Sequence, residues 1–330
     1  MSTRTTAAAT AVESAGLPAA FVERLRLILE PEQVDQALSA FAGDRATAFR
    51  ANTLKVAGPG LVEELERDGL SPTPLQWKAD AFTIPPAQRR ALTAAAACRD
   101  GRLYIQNPSS MLIPLILDPQ PGEEVLDLCA APGGKTSQMA AMMANRGRIA
   151  AVESVRSRFF RLRANLERAG VAIADTYLRD GSSVWRQCRE RFDAVLLDAP
   201  CTSEGRFRLD EPDSYALWRP GKVRELQRKQ RRLLFSAVQS LRPGGRLVYS
   251  TCTFAPEENE LVVDGILRRF GAALEIEAIA APVAGVSSGL TGWRRKLLDP
   301  SLERALRILP DELMEGFFVC RLFKRASTPD

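Results

Sequence analysis

The sequence contains no histidine. That excludes every Ser-His and Cys-His nucleophile pair within the chain, and every imidazole metal ligand. Cysteines stand at Cys98, Cys129, Cys188, Cys201, Cys252 and Cys320, yet none forms a Cys-x-x-Cys pair. With neither paired thiols nor imidazoles a zinc site has no ligand set, so no metal is expected. Unpaired cysteines in a chain that is not small read as reduced thiols in a cytoplasm. No apolar run approaches the roughly 20 residues that a membrane span needs, so no membrane partner is expected. The first 16 or so residues are small and polar with one arginine, which fits a loose tail and not a secretory signal.

What is present is an ordinary composition, 45% apolar and 26% charged over 330 residues, long enough for two domains. Net charge is +5, which favours a polyanionic partner.

Two patterns follow one another along the chain. Residues 21–42 carry helical periodicity broken near Pro31, a strand is expected over 49–56, "LVEELERDG" reads as a helix closed by Gly69, and "AFTIPP" as a short strand. Residues 1–98 therefore read as a small α+β domain. From Gly101 strands and helices alternate. "EEVLDLC", "RIAAVES", "TYLRDGS", "FDAVLLDAP" and "GRLVYSTCT" read as strands, with a late strand in "GFFVCRLF". One helix carries Val155, Phe159, Leu162, Leu166 and Ala169 on one face. A second, over 220–241, carries Val223, Leu226, Leu233 and Ala237, and a third is expected to open at Pro256 with Glu257 and Glu258 at its positive end. Such alternation means a mostly parallel, doubly wound α/β sheet over 99–326, with ligands at the C-terminal ends of its strands.

The first strand-to-helix turn reads "DLCAAPGGKTSQ". A phosphate loop of the G-x-x-x-x-G-K-[ST] type would need glycine where Cys129 stands, and the dinucleotide pattern G-x-G-x-x-G is missing. S-adenosylmethionine carries no phosphate and needs small residues that let backbone approach it. Cys129, Ala130, Ala131, Pro132, Gly133 and Gly134 supply such a stretch. Glu153 ends the second strand and can accept both ribose hydroxyls; Asp180 ends the third and could meet the adenine amino group. Arg158, one turn into the next helix, either contacts the cofactor or is simply exposed.

Two strand ends carry cysteine, in "DAPCTSEG" and "YSTCTFAPEENE". Together with the glycine loop, "FRANTLK", "YIQNPSSM" and "RILPDELMEGFFVCRLFK", these stretches resemble the Fmu/Sun (RsmB/RsmF-like) family of RNA cytosine-C5 methyltransferases from about Arg50 to Lys324. The resemblance implies a Rossmann-like class I methyltransferase domain with S-adenosyl-L-methionine as cofactor. It also implies an N-terminal domain that binds RNA, with Arg50 and Asn52 matching the family there. Cys252 is then the nucleophile that adds to carbon 6 of cytosine, and Cys201 assists elimination and product release; without the resemblance the order of the two sulfurs stays open. Asp198 would contact the cytosine ring nitrogen and amino group. Lys135 would lie in the catalytic pocket, positioning Asp198 or the cofactor. Cys98, Cys188 and Cys320 are expected to be buried structural thiols. The family's usual histidine before the last strand is replaced nearby by Asp311.

RNA contacts are sought in the basic stretch 219–232, in the arginines 156, 158, 161, 163 and 168, and in the loop "RFRLDEPDSYALWRP". There arginines beside Phe207, Tyr215 and Trp218 could serve backbone contact and base stacking, unless Trp218 staples the next helix. Ribosomal RNA is the expected substrate and the chain is expected to act as a monomer. A transfer-RNA methyltransferase and a non-catalytic, RNA-binding ribosome assembly factor are the alternatives.

Overall fold

The computed structural model describes residues 16–329; the expected N-terminal tail falls almost wholly outside them. Two helices open the described chain, α1 (Ala19–Ile28) and α2 (Pro31–Ala42), with the break at Pro31. A small antiparallel sheet follows, in the order β2-β3-β1-β4, from β1 (Thr47–Ala51), β2 (Thr73–Leu75), β3 (Lys78–Ile84) and β4 (Leu103–Ile105). Helix α3 (Gly58–Arg67) and the short helices α4 (Arg89–Ala94) and α5 (Ala96–Arg99) belong to this part. The expected strand over 49–56 stops at Ala51, where the backbone turns at Asn52 and its side chain donates to the carbonyls of Gly101 and Ala169.

The boundary expected at 98 cuts across this sheet, because β4 pairs with β1 from beyond it. Nor do α1 and α2 pack on the small sheet. Phe21, Leu25, Leu38 and Phe41 instead form one apolar cluster with Phe207, Tyr215, Trp218, Val223 and Phe254. Each such side chain contributes about 1.5–3 kcal/mol when fully buried, so the first helices are fastened to the larger sheet's loops by a substantial core.

The larger sheet takes its parallel strands from β5 (Glu124–Asp127), β6 (Arg148–Glu153), β7 (Ala174–Leu178), β8 (Phe192–Asp198) and β9 (Leu241–Thr251). Their order is β7-β6-β5-β8-β9, so the chain reverses direction across the sheet between β5 and β8. Helices α6 (Pro108–Leu117), α7 (Gly134–Met142), α8 (Arg156–Arg168), α9 (Pro220–Ser240) and α10 (Glu260–Phe270) cover it. The antiparallel strands β10 (Leu274–Glu277), β11 (Val286–Ser288), β14 (Leu306–Ile308) and β15 (Phe317–Lys324) complete the far edge. A two-stranded hairpin, β12 (Gly292–Trp293) and β13 (Lys296–Leu297), lies apart.

The helices show why periodicity was informative. Val223, Leu226, Leu233 and Ala237 of α9 are all buried, as their spacing requires. On α8 only Leu162 and Leu166 are buried within the helix, while Val155 is exposed at its start. That end faces the cavity described below. The helix expected at Pro256 starts at Glu260 instead. Residues 256–259 form turns, Glu257 pairs with Arg24 of α1 at 2.6 Å, and Glu258 turns inward. Both carboxylates have partners elsewhere that outweigh a place at a helix end.

Candidate active site

The reversal between β5 and β8 opens a cavity of about 630 Å³ at the C-terminal ends of the strands, where doubly wound sheets bind ligands. It is lined by every residue singled out in the sequence as catalytic or cofactor-binding except Gly133. Gly133 serves the turn. Its φ is +105° at the start of α7, and a Cβ there would press on Leu162 at 3.1 Å. Gly134 is needed for a different reason: a Cβ would lie 2.9 Å from the Tyr104 ring, so the loop packs hard against β4.

Arg50 of β1 lies beneath that loop. It is 1% exposed, and its guanidinium donates to Gln106 Oε1 (2.9 Å), the Gly134 carbonyl (3.0 Å) and Ser137 Oγ (2.7 Å). Burial lowers its pKa to about 10. Arg50 and Asn52 therefore brace the small sheet against the larger one; neither is an RNA-facing group. Their chain positions gave no sign of this, because the partners come from distant segments.

Around the cavity's inner end, Glu153 is almost fully buried. One oxygen accepts the Val155 N–H at 2.8 Å and the other lies 3.5 Å from the Arg158 guanidinium. Arg158 also donates to the Ala131 carbonyl at 2.7 Å, so it ties the loop to the β6 carboxylate. Asp180 accepts the Ser182 N–H at 2.9 Å and lines the cavity. Asp127, not singled out from sequence, accepts from Thr136 Oγ1 at 2.6 Å; burial pushes its carboxyl up to about 7. Asp127, Glu153, Asp180 and Asp198 thus line one cavity at or just beyond the ends of β5, β6, β7 and β8, beside the small residues Ala130 and Ala131. These carboxylates can accept hydroxyl and amino donors of a nucleoside and attract a cationic sulfonium, so S-adenosylmethionine fits the residues present.

Further along, β8 and β9 pair in parallel with Asp198 opposite Ser250. Both chains leave the sheet at the same level, and the next turn of each carries a cysteine. The Cys201 and Cys252 sulfurs lie 3.3 Å apart. Lys135 Nζ donates to Asp198 Oδ2 at 2.6 Å and Ser250 Oγ donates to Oδ1 at 2.9 Å, which fixes the carboxylate beside the sulfurs. The hydrogen bond with Cys201, followed by the Arg206 guanidinium, draws the Cys252 thiol below the usual thiol range despite burial. The same bond and burial push Cys201 well above it. Arg206 is itself held by Glu315 at 3.3 Å, brought in where Gly205 and Gly316 cross backbone to backbone.

Phe207, Tyr215 and Trp218 are buried among α1 and α2, and the Trp218 indole donates to Glu204 at 2.8 Å, so none is free to stack on a base. Arg208 is paired with Asp210 at 2.8 Å. Asp311 caps its own loop by accepting the N–H groups of Leu313 and Met314, and does not line the cavity. Cys320 is buried in the β15 core and Cys98 and Cys188 are partly buried; Cys129 lines the cavity, and burial raises its thiol pKa strongly. Among the described residues no cluster of His, Cys, Asp or Glu could hold a metal, and no helix is long and apolar enough to cross a membrane.

Fold and site together define a Rossmann-like α/β protein whose strand-end cavity includes a two-cysteine pocket. The family model for 16S rRNA methyltransferase RsmB/F matches residues 114–323, and the chain belongs to that family. It is 38% identical, over 95% of its length, to the ribosomal RNA small subunit methyltransferase F of Serratia proteamaculans, and 37% identical, over 94%, to that of Cronobacter sakazakii. In each case it spans only 64% of the relative. A methyltransferase homologue from Pyrococcus horikoshii has the same fold, with a TM-score of 0.82 and 32% identity over 96% of this chain and 99% of that one.

Proposed function

We propose that this chain transfers a methyl group from S-adenosylmethionine to carbon 5 of a cytosine in small-subunit ribosomal RNA, through a transient bond to Cys252. The observation that carries the reading is the 3.3 Å approach of the Cys201 and Cys252 sulfurs beside the Lys135–Asp198 pair.

The chemistry requires such a site. Carbon 5 of cytosine is a weak nucleophile until a sulfur adds to carbon 6. An ordinary thiol, with pKa near about 8.5, is only a few per cent thiolate at neutral pH. Cys201 and Arg206 shift Cys252 in the direction needed. Asp198, its two oxygens already oriented by Lys135 and Ser250, accepts from the cytosine amino group, and Lys135 brings positive charge to the ring as it takes up electron density. S-adenosylmethionine, when bound, supplies an electrophilic methyl group; Glu153 and Asp180 would hold its ribose and adenine, and the 129–134 backbone its amino-acid part. Once carbon 5 carries the methyl group, its proton passes to water in the open cavity, the electron pair left behind re-forms the ring double bond, and the bond from carbon 6 to sulfur breaks to release Cys252 as thiolate. Cys201, still protonated, donates to the departing Cys252 thiolate and holds it off the ring. The target base has to leave its stack to reach this depth.

The names of the curated relatives favour ribosomal over transfer RNA. The N-terminal α+β part, which adds Arg45 and Arg89 to the cavity rim, is proposed as the RNA platform, with the chain acting as a cytoplasmic monomer. Bisulfite sequencing of RNA from cells with and without the gene tests the reading. Expected is a cytosine of small-subunit ribosomal RNA that resists conversion only when the gene is present; identical profiles would overturn it.

A further inference from the structure

A buried line of side chains runs behind the two cysteines. Thr202 and Thr253 each follow a cysteine directly, and their hydroxyls lie 2.9 Å apart. Beyond Thr202 the line continues to Glu258 Oε1, and beyond Thr253 to Glu204 Oε2 at 2.7 Å. Glu258 is 0% and Glu204 1% exposed.

Counting protons fixes the state of this line. Three hydrogen bonds join the four groups, and each needs one proton. The two hydroxyls bring two. Were both carboxyls ionised, one of the three close contacts would set lone pair against lone pair where no solvent reaches. The third proton therefore sits on a carboxyl. Glu204 is satisfied without one: it accepts from Thr253, from the Phe254 N–H at 3.0 Å and from the Trp218 indole at 2.8 Å. Glu258 accepts the Thr202 N–H (3.1 Å) and Gln230 Nε2 (2.8 Å) on Oε2 alone, which leaves Oε1 to carry the proton toward Thr202. Burial and then the neighbouring Glu204 also push the Glu258 carboxyl up to about 8. Also facing it are the Cys201 thiol and the Tyr249 phenol, which donates to the Glu258 carbonyl.

We propose that Glu258 is held protonated and starts a one-way chain of hydrogen bonds, Glu258 to Thr202 to Thr253 to Glu204, that clamps the Cys201 loop to the Cys252 loop. The four are positioning residues for the sulfurs, and none touches substrate. Their use rests on the methyltransferase reading, but the chain of protons and its hold on the two sulfurs can be measured without it.

Four variants of the whole chain test this: Glu258→Gln, Glu204→Gln, Thr253→Val and Thr253→Ser. Thermal midpoints are measured, together with the rate of Cys252 carbamidomethylation by iodoacetamide, read by peptide mass spectrometry. In Glu258→Gln an amide N–H replaces the acid O–H as donor to Thr202, so the midpoint stays within about 2 °C and the Cys252 rate within about twofold. In Glu204→Gln an NH₂ group meets hydrogen-bond donors, and the midpoint falls by about 5 °C or more. Thr253→Val changes the Cys252 rate by about threefold or more, and Thr253→Ser restores it. Any result in which Glu258→Gln is not the milder of the two glutamine variants overturns the proton assignment. An unchanged Cys252 rate in Thr253→Val overturns the positioning role. None of these readouts uses RNA or methyl transfer, so a wild-type protein that failed to methylate would remove the enzymatic reading and leave this one standing.

Discussion

The Cys201 and Cys252 sulfurs meet at 3.3 Å because two adjacent parallel strands end level with each other, Asp198 opposite Ser250. From that register follows the shared pocket, and the surroundings of the two thiols differ: beyond the hydrogen bond between them, Arg206 lowers the Cys252 pKa while burial and Glu258 raise that of Cys201. A sulfur that receives a hydrogen bond from its neighbour ionises more easily, and the donor less so.

The division of labour is separable by mutation. Cys252→Ala is expected to abolish methylation and to form no adduct with RNA. Cys201→Ala is expected to form the adduct and release it poorly, giving a protein–RNA band that survives denaturant on a gel. Exchange of these two outcomes would exchange the roles.

Arg206 is expected to act on the sulfur through charge. Replacing it by Gln raises the Cys252 pKa, so alkylation of Cys252 at pH 7 slows by about two- to tenfold. The effect shrinks at pH 9, where the thiolate is populated anyway. An equal slowing at both values would instead mark a steric role.

Arg50→Met removes three buried hydrogen bonds beneath the glycine loop. A loss of about 3 kcal/mol in stability is expected, since the Gly134 carbonyl loses its Arg50 donor. Calorimetric titration with S-adenosylmethionine should show weaker binding in the same variant. Unfolding curves that match wild type would contradict the bracing role.

Stability should depend on pH through the two raised carboxyls, Asp127 at about 7 and Glu258 at about 8. Both stand above the ordinary 3.8 and 4.5, so the folded state holds protons that the unfolded chain has already released. Their contribution is full below about pH 4 and is lost as pH rises through 7 to 8. Between pH 5 and 8 the melting temperature of wild type should therefore fall relative to that of Glu258→Gln, which has no proton to lose there. Parallel curves would contradict this.

Much of the larger sheet could be read in advance, because its strands are short apolar runs and α9 carries a strict helical stripe. The cavity residues could be read too, since a doubly wound sheet places its strand ends together and the motifs mark those ends. What could not be read depends on contacts between distant segments. Nothing local in "FRANTLK" places Arg50 under Gly134, and nothing in "YALWRP" says that α1 and α2 will cover Trp218. The prolines misled once. Pro256 suits a first helical turn, but Glu257 has Arg24 and Glu258 has Thr202 as partners, and the helix begins only at Glu260. The line from Glu258 to Glu204 is legible only once Thr202 and Thr253 are seen side by side.

The most direct measurement uses small-subunit ribosomal RNA transcribed with 5-fluorocytidine and incubated with the protein and S-adenosylmethionine. Fluorine at carbon 5 cannot leave as a proton, so a cytosine that has reacted stays on the enzyme. Expected is a denaturant-stable adduct that peptide mass spectrometry places on Cys252. An adduct on Cys201, or none alongside normal methylation of unmodified RNA, would contradict a covalent role for the Cys252 sulfur.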